Sequence, residues 1–84
     1  MRSPDKRFGE VLRELRRKRE LSQEDLAFES DLNRQFISLL ELGQRSPSLQ
    51  TVYKIADGLG ISGSELLATM EARSRAVSKP RSRR

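Results

Sequence analysis

The side chains that could do chemistry in this 84-residue chain are carboxylates, hydroxyls and basic groups, because the sequence contains neither histidine nor cysteine. Without cysteine there is no disulfide framework, no thiolate nucleophile and no zinc site built on sulfur. Without histidine, the commonest general base and the commonest metal ligand are also missing. No nucleophile–base pair is visible among the remaining side chains. The composition therefore predicts a protein that is not an enzyme, with no catalytic residue, no bound metal and no cofactor.

The basic residues are unevenly distributed along the chain. There are 17 Lys and Arg against 12 Asp and Glu, which gives a formal net charge of +5. Residues 1–19 carry +5, residues 20–72 carry −6 and residues 73–84 carry +6. A central segment of this negative charge cannot bind a polyanion by bulk attraction. Any contact with nucleic acid must therefore use a small surface from which the carboxylates are turned away.

The sequence shows no sign of export or membrane insertion. No apolar run approaches the roughly 18–20 residues that are needed to cross a bilayer. The charged start of the chain is not followed by the apolar segment of a signal peptide. We therefore expect a cytoplasmic protein without a membrane partner, and the chain length suits one domain of about 50–150 residues.

Apolar residues recur at helical spacing, and no segment alternates with a period of two, so the sequence predicts an all-α fold. Ser22, Asn33 and Ser62 are suitable N-caps, while Gly43 and Gly60 are suitable helix ends. The predicted helices cover about residues 5–19, 22–30, 34–42, 48–59 and 63–72. Residues 73–84 have no apolar face and are expected to form a disordered basic tail after a domain of residues 1–72.

The segment from Gln23 to Gly43 contains two short helices that are joined by about three residues, which requires a crossing angle near 90–120°. Ala27 provides a small side chain for the close approach, and Asp31 tolerates positive φ in the turn. The apolar residues that would hold this pair to the core are Leu26, Leu32, Ile37 and Leu40. The spacing fits a DNA-binding helix pair and an ordinary αα-corner equally well.

Four segments in this part of the chain follow one another in a specific order: LSQEDLA at 21–27, NRQFIS at 33–38, ExGxRxPSL at 41–49 and IAxxLGI at 55–61. Together they resemble the Xre family of helix-turn-helix regulators, which includes the lambda repressor, Cro proteins and restriction–modification controller proteins. The resemblance covers about residues 7–68 and implies a compact five-helix, lambda-repressor-like domain. It further implies that the pair at about residues 22–42 binds double-stranded DNA.

The resemblance implies that the helix at 33–42 enters the major groove, with Arg34 and Gln35 as the leading base readers. This agrees with chemistry, since arginine pairs with guanine and glutamine with adenine. Ser38 and Leu39 lie one turn further along and are the second pair of expected base contacts. Leu39 departs from the family pattern, which is polar or basic here. It could contact a thymine methyl group or pack on a neighbouring side chain.

Phosphate contacts are expected at two helix N-termini and in one loop. Gln23 and Asn33 lie at the N-termini, where backbone N–H groups attract anions. Gln44, Arg45 and Ser46 form the loop that meets the DNA backbone in the complexes of the resembled family. Two aromatic residues remain. Phe36 is expected to pack against the helix pair, and Phe28, which replaces a usually polar residue, has no assigned role.

Arg16 and Glu41 match a family pair that forms a partly buried ion pair between the first and third helices. Arg16 is therefore expected to be structural, although it begins a basic run. The rest of that run has the composition of a solvated helix end, where basic side chains suit the helix dipole.

The family mostly binds DNA as two-fold dimers on palindromic sites. Leu66, Leu67 and Met70 on the fifth helix exceed the needs of a short terminal helix and are expected to form the dimer interface, although all three could instead pack inward. These features predict a sequence-specific transcriptional regulator that acts as a homodimer on a palindromic operator. The alternative is an antitoxin or adaptor that mainly binds protein, which would have no reason to display Arg34, Gln35 and Gln23.

Overall fold

The computed structural model describes residues 3–77, with side chains described as far as Arg73. Within these residues the chain forms five helices and no strand, which confirms the all-α prediction. The helices are α1 (Pro4–Lys18), α2 (Gln23–Ser30), α3 (Arg34–Glu41), α4 (Leu49–Leu59) and α5 (Gly63–Val77).

The helices begin where capping residues stand in the sequence. The hydroxyl of Ser22 accepts the backbone N–H of Asp25, and the Asp25 carboxylate accepts the N–H of Ser22, so that α2 starts with a capping box. The same reciprocal bonds join Ser62 and Glu65 at the start of α5. Ser3 caps α1 in its own right. Each cap satisfies N–H groups that the first turn of a helix leaves unpaired.

A single core joins all five helices. α1 packs on α3 and α5, α2 packs on α3 and α4, and α4 packs on α5. Burial of these apolar side chains is the main source of stability. The buried apolar residues are Phe8, Val11, Leu12, Leu26, Ala27, Ile37, Leu40, Val52, Ile55, Ala56, Leu59 and Leu66.

The close approach of α1 to α3 depends on Gly9, which lies inside α1. A Cβ atom at this position would lie 2.6 Å from the backbone oxygen of Glu41 and would also collide with that of Leu40. Only glycine allows the two backbones to come this close. This contact fixes the position of α3, the predicted recognition helix.

The prediction of a tail that begins at residue 73 is wrong for its first five residues, because α5 continues to Val77. The Arg73 guanidinium pairs with the Glu14 carboxylate and lies 3.8 Å from that of Glu10, both on α1. These contacts join α5 to α1 at the point where the helix passes the predicted boundary. The rest of the predicted tail, residues 78–84, lies outside the described residues.

Candidate nucleic-acid interface

The turn between α2 and α3 takes the chain sharply from one helix into the next. Asp31 adopts the left-handed conformation at φ 57° and ψ 47°, as the sequence predicts, and the N–H of Leu32 donates to the carbonyl of Ala27 at 2.8 Å. Asn33 then returns to extended backbone, and its side-chain oxygen accepts the N–H of Gln35 at 2.7 Å. The direction of α3 is therefore fixed by hydrogen bonds on both sides of the turn.

The first turn of α3 presents its long polar side chains to solvent. Arg34 and Gln35 are both exposed. Among the residues that the structure describes, no carboxylate lies within ion-pair distance of Arg34. Ser38 and Leu39, one turn further along, are half-buried. Arg34 and Gln35 are thus more exposed than the other two predicted base-contact residues.

The loop after α3 is held at both of its ends. Gly43 has φ +74°, which suits glycine, and the N–H of Gln44 donates to the carbonyl of Leu39 at 2.9 Å. The Arg45 guanidinium lies 5.4 Å from the centre of the Phe36 ring, within the range of a cation–π interaction. Arg45 is exposed, so its positively charged guanidinium is accessible to solvent beside α3.

The structure does not support a phosphate contact for Ser46. Its hydroxyl donates to a carboxylate oxygen of Asp5 at 2.6 Å, which ties the loop to the first turn of α1. A serine hydroxyl has one proton, and that proton is already engaged. The negative charge of Asp5 would also repel a phosphate at this point.

Arg16 and Glu41 form the predicted contact between α1 and α3. Arg16 Nε donates to Glu41 Oε2 at 2.6 Å, and Arg16 Nη2 donates to Oε1 at 3.1 Å. Arg16 Nη1 also donates to the carbonyl of Leu21, at 2.8 Å. The Glu41 side chain is fully buried, and the Arg16 side chain is 11% exposed. One guanidinium therefore ties α1 both to α3 and to the loop that precedes α2.

Glu41 remains ionised in this setting. Burial alone would raise the pKa of its carboxyl, but hydrogen bonds from Arg16 and Gln23 and the positive charges of Arg16 and Arg13 outweigh this effect. The pKa of Glu41 is therefore lower than its ordinary value. The hydrogen bond to Glu41 in turn raises the pKa of Arg16.

Gln23 is the first residue of α2 and is half-buried. Its side-chain Nε2 donates to Glu41 Oε1 at 3.0 Å, a contact that the sequence did not indicate. One of its two amide protons is thus used within the protein, and the other is still available to a ligand.

An apolar surface spans α4 and α5. Leu66, predicted to be an interface residue, is fully buried in the chain's own core, so that part of the prediction is wrong. Leu67 is 43% exposed, and Met70 is half-buried against the core.

The exposed part of this surface continues onto α4 through two residues that the sequence reasoning missed, Leu49 and Tyr53, which are 68% and 57% exposed. Tyr53 lies against the start of α5, since a Cβ atom at Gly63 would be 2.6 Å from Tyr53 Cε1. Leu49 is one turn before Tyr53, and Leu67 is one turn after Gly63, so each lies on the same side of its helix as the contact between Tyr53 and Gly63. The four-residue spacing of Leu49 and Tyr53 was visible in the sequence, but the exposure of these two side chains depends on how α4 packs.

Phe28 lies on α2 and is 83% exposed, more than the other large apolar side chains that the structure describes. Nothing in the packing of the described residues accounts for a phenylalanine at this position. Within residues 3–77, no helix is both long and apolar enough to cross a membrane. The described side chains also contain no group of three acidic, histidine or cysteine residues that could hold a metal ion.

Comparison with known proteins identifies this arrangement of helices. A helix-turn-helix family model matches residues 12–66. The control protein C.MunI of a Mycoplasma species is 47% identical over 66 residues, which cover 77% of this chain and 89% of that protein. The uncharacterized HTH-type transcriptional regulator y4dJ of Sinorhizobium fredii is 39% identical over 62 residues, which cover 74% of this chain and 80% of that protein.

A solved structure agrees with the two sequence relatives. The restriction-modification controller protein C.AhdI from Aeromonas hydrophila is 48% identical to this chain and superposes with a TM-score of 0.70, covering 73% of this chain and 92% of that one. The matched segment includes α2, the turn and α3 in full. The chain therefore belongs to the helix-turn-helix family.

Proposed function

We propose that this chain is a sequence-specific DNA-binding transcriptional regulator. One observation carries the proposal: an arginine and a glutamine, both exposed, begin a helix whose direction is fixed by the turn before it and by Glu41 at its end. This is how a recognition helix must be built, because base edges are read only by side chains that reach the groove in a defined orientation. The relatives, a control protein and a transcriptional regulator among them, support the same reading.

In this proposal α3 enters the major groove by its N-terminal end. Arg34 reads guanine through its two-pronged guanidinium, and Gln35 reads adenine through its amide. Ser38 and Leu39 are half-buried, and their side chains, which are shorter than those of Arg34 and Gln35, contact bases deeper in the groove. Leu39 can offer only an apolar surface, for which the methyl group of thymine is the matching feature.

Phosphate contacts hold the helix in register. Gln23 and Asn33 each stand at a helix N-terminus, where backbone N–H groups and the helix dipole favour an anion. Gln44 and Arg45 are exposed in the loop after α3 and supply a neutral and a charged contact. Such contacts give affinity and position without reading sequence.

The DNA-bound form is proposed to be a homodimer. The exposed surface of Leu49, Tyr53 and Leu67 provides the apolar area that a two-fold contact would bury. A dimer would place two recognition helices about 34 Å apart on one face of the duplex, which requires a palindromic site. Because its ligand is cellular DNA, the proposed location is the cytoplasm, and neither a cofactor nor catalysis is part of the proposal.

Selection of bound duplexes from a random pool tests this function. Wild-type protein should enrich one two-fold symmetric sequence. Its binding constant for that sequence should fall as the salt concentration is raised. In a plot of the logarithm of the binding constant against the logarithm of the salt concentration, each neutralised phosphate should add about −0.9 to the slope. The control is Arg17→Ala, which removes one exposed positive charge from α1. This control should enrich the same sequence as the wild type, whereas Arg34→Ala should lose the preference at one or two base pairs of that sequence.

Two results would contradict the proposal. A pool without an enriched sequence would exclude sequence-specific binding, and it would favour the alternative of an antitoxin or adaptor that binds protein. Exposed Phe28 would then be the first candidate for the protein contact. An enriched sequence without two-fold symmetry would retain DNA binding but exclude the homodimer.

A further inference from the structure

Glu41 is a buried carboxylate at the end of α3 opposite to Arg34 and Gln35, and base reading by these two residues does not account for it. Glu41 Oε1 accepts a hydrogen bond from Gln23 as well as one from Arg16, and its side chain is fully buried. Gln23 belongs to α2 and is separated from Glu41 by 18 residues. The carboxylate thus links the first residue of one DNA-binding helix to the last residue of the other.

This contact determines which way the Gln23 carboxamide faces. An ionised carboxylate can only accept hydrogen bonds, and so it must meet the NH₂ group of Gln23 and not its oxygen. Because the amide group is planar, fixing one N–H on Glu41 also fixes the direction of the second N–H and of the oxygen. Arg16 holds Glu41 through two hydrogen bonds, which prevents the carboxylate from following the amide if that group rotates.

We propose that Glu41 is a positioning residue, which orients Gln23 so that its remaining amide proton meets a DNA phosphate. The proposal rests on the DNA-binding function given above. A glutamine without this contact would rotate about three side-chain bonds and would present its oxygen, which repels phosphate, as often as its nitrogen. Holding the donor in place before DNA arrives removes most of that ordering cost.

A methylphosphonate scan of the selected duplex identifies the phosphate concerned. Each substitution replaces one charged phosphate oxygen with a methyl group, and the loss of affinity is measured position by position for each variant. For wild-type protein we expect a loss of about five- to tenfold at the phosphate that Gln23 contacts. For Gln23→Ala the loss at that one position should fall to near onefold, while the other sensitive phosphates keep theirs.

The decisive variant is Glu41→Met, which keeps the length of the side chain but removes both acceptor oxygens. A glutamine at this position would not serve, because its carbonyl oxygen could still accept the hydrogen bond from Gln23. Gln23 is still present in Glu41→Met but has lost the acceptor that orients it, so we expect this variant to lose the same single phosphate as Gln23→Ala. The matched control, Glu24→Met, removes an exposed carboxylate next to Gln23 and should keep the wild-type pattern. A Glu41→Met protein that folds and still shows the wild-type loss at the Gln23 phosphate would overturn the proposal. A uniform change at all phosphates would also overturn it, since it would indicate a purely structural role.

A measurement on unmodified protein decides the matter if Glu41→Met does not fold. In ¹⁵N-labelled wild-type protein without DNA, the side-chain amide protons of Gln23 should exchange with solvent about tenfold more slowly than those of exposed Gln50. Equal exchange rates would overturn the proposal, because they would show that Gln23 is not held. If the selection yields no enriched duplex, the DNA-binding function itself fails, and this exchange measurement then reports separately on the Glu41–Gln23 contact.

Discussion

At the scale of single residues, the same side-chain type takes different roles because its surroundings differ. Arg16 is largely buried and gives its donors to Glu41 and to the carbonyl of Leu21. Arg34 is exposed, and no described carboxylate pairs with it. The first is part of the framework, and the second has its full hydrogen-bonding capacity available for a ligand.

Replacing Arg34 with alanine should lower affinity for the selected duplex by about 1–3 kcal/mol and relax the preference at one or two base pairs. The loss follows from removing a two-pronged donor to a base edge. Competition binding against single-base variants of the duplex measures both effects. If Arg34→Ala weakened binding to every duplex equally, Arg34 would be a phosphate ligand and not a base reader.

The depressed pKa of Glu41 predicts how stability depends on pH. The unfolded protein takes up a proton at the ordinary glutamate pKa of about 4.3, but folded Glu41 does so only at lower pH. Its contribution is therefore complete above that unfolded value and is lost as the pH falls through the folded pKa. Denaturant unfolding at several pH values between neutrality and pH 3 should show this decline.

The comparison that isolates Glu41 uses two charge-removing variants. Glu41→Gln should be less stable than wild type at neutral pH and should lose less stability on acidification, because its contribution is already absent. Glu24→Gln, an exposed site, should follow the wild-type curve. Parallel curves for Glu41→Gln and wild type would contradict the assignment of the depressed pKa to Glu41.

At the scale of helices, the starts were predictable and one end was not. Helix starts depend on local chemistry: the caps at Ser22, Asn33 and Ser62 act on N–H groups two or three residues away. α5 continues past residue 72 where Arg73 pairs with Glu14 on the distant helix α1, a contact that no local pattern reveals. The inward direction of the Leu66 side chain also depends on distant parts of the chain, because Leu66 packs in the core that the five helices share.

The candidate site shows the same division. The exposed position of Arg34 follows from a capped helix with an apolar face, and could be predicted. The bond between Gln23 and Glu41 spans 18 residues and depends on how α2 and α3 cross, and the bond between Ser46 and Asp5 spans 41. The bond to Glu41 gives Gln23 a contact within the protein, and the bond to Asp5 argues against a phosphate contact for Ser46.

The packing of α1 on α3 predicts an unusual effect of alanine inside a helix. Gly9→Ala should destabilise the protein by about 1–3 kcal/mol, although alanine favours helices by about 1 kcal/mol over glycine. The added methyl group would collide with backbone oxygens of Leu40 and Glu41, which cannot move aside without shifting α3. Chemical denaturation measures the change. A Gly9→Ala protein that is more stable than wild type and still binds the selected duplex would contradict this role of Gly9.

At the scale of the whole molecule, the distribution of charge along the chain limits how DNA can be bound. Electrostatic attraction between basic side chains and DNA can act only locally and is small, because residues 20–72 carry a charge of −6. Specific binding must therefore come from well-placed contacts, and the proposed dimer would double their number. The surface available for that dimer lies on α4 and α5 and includes Tyr53 and Leu67.

Leu67→Lys should abolish the dimer while leaving the fold intact, since Leu67 is 43% exposed in the monomer. A lysine in an apolar two-fold contact would bury two like charges. Sedimentation should show a shift toward monomer, and affinity for the palindromic duplex should fall with it. The control is Phe28→Lys, an equivalent change at a different exposed apolar site, which should sediment as wild type. Unchanged sedimentation of Leu67→Lys would exclude this surface as the interface.

The proposed reading of base edges in the major groove by the first turn of α3 can be tested by a single-atom change in the DNA. Replacing guanine with 7-deazaguanine removes the N7 acceptor in that groove and leaves Watson–Crick pairing intact. Wild-type protein should lose affinity at one guanine in each half-site, by about 1–3 kcal/mol, and Arg34→Ala should be insensitive at the same position. Wild-type binding that is insensitive at every guanine, or an Arg34→Ala protein with the wild-type pattern of losses, would contradict the claim.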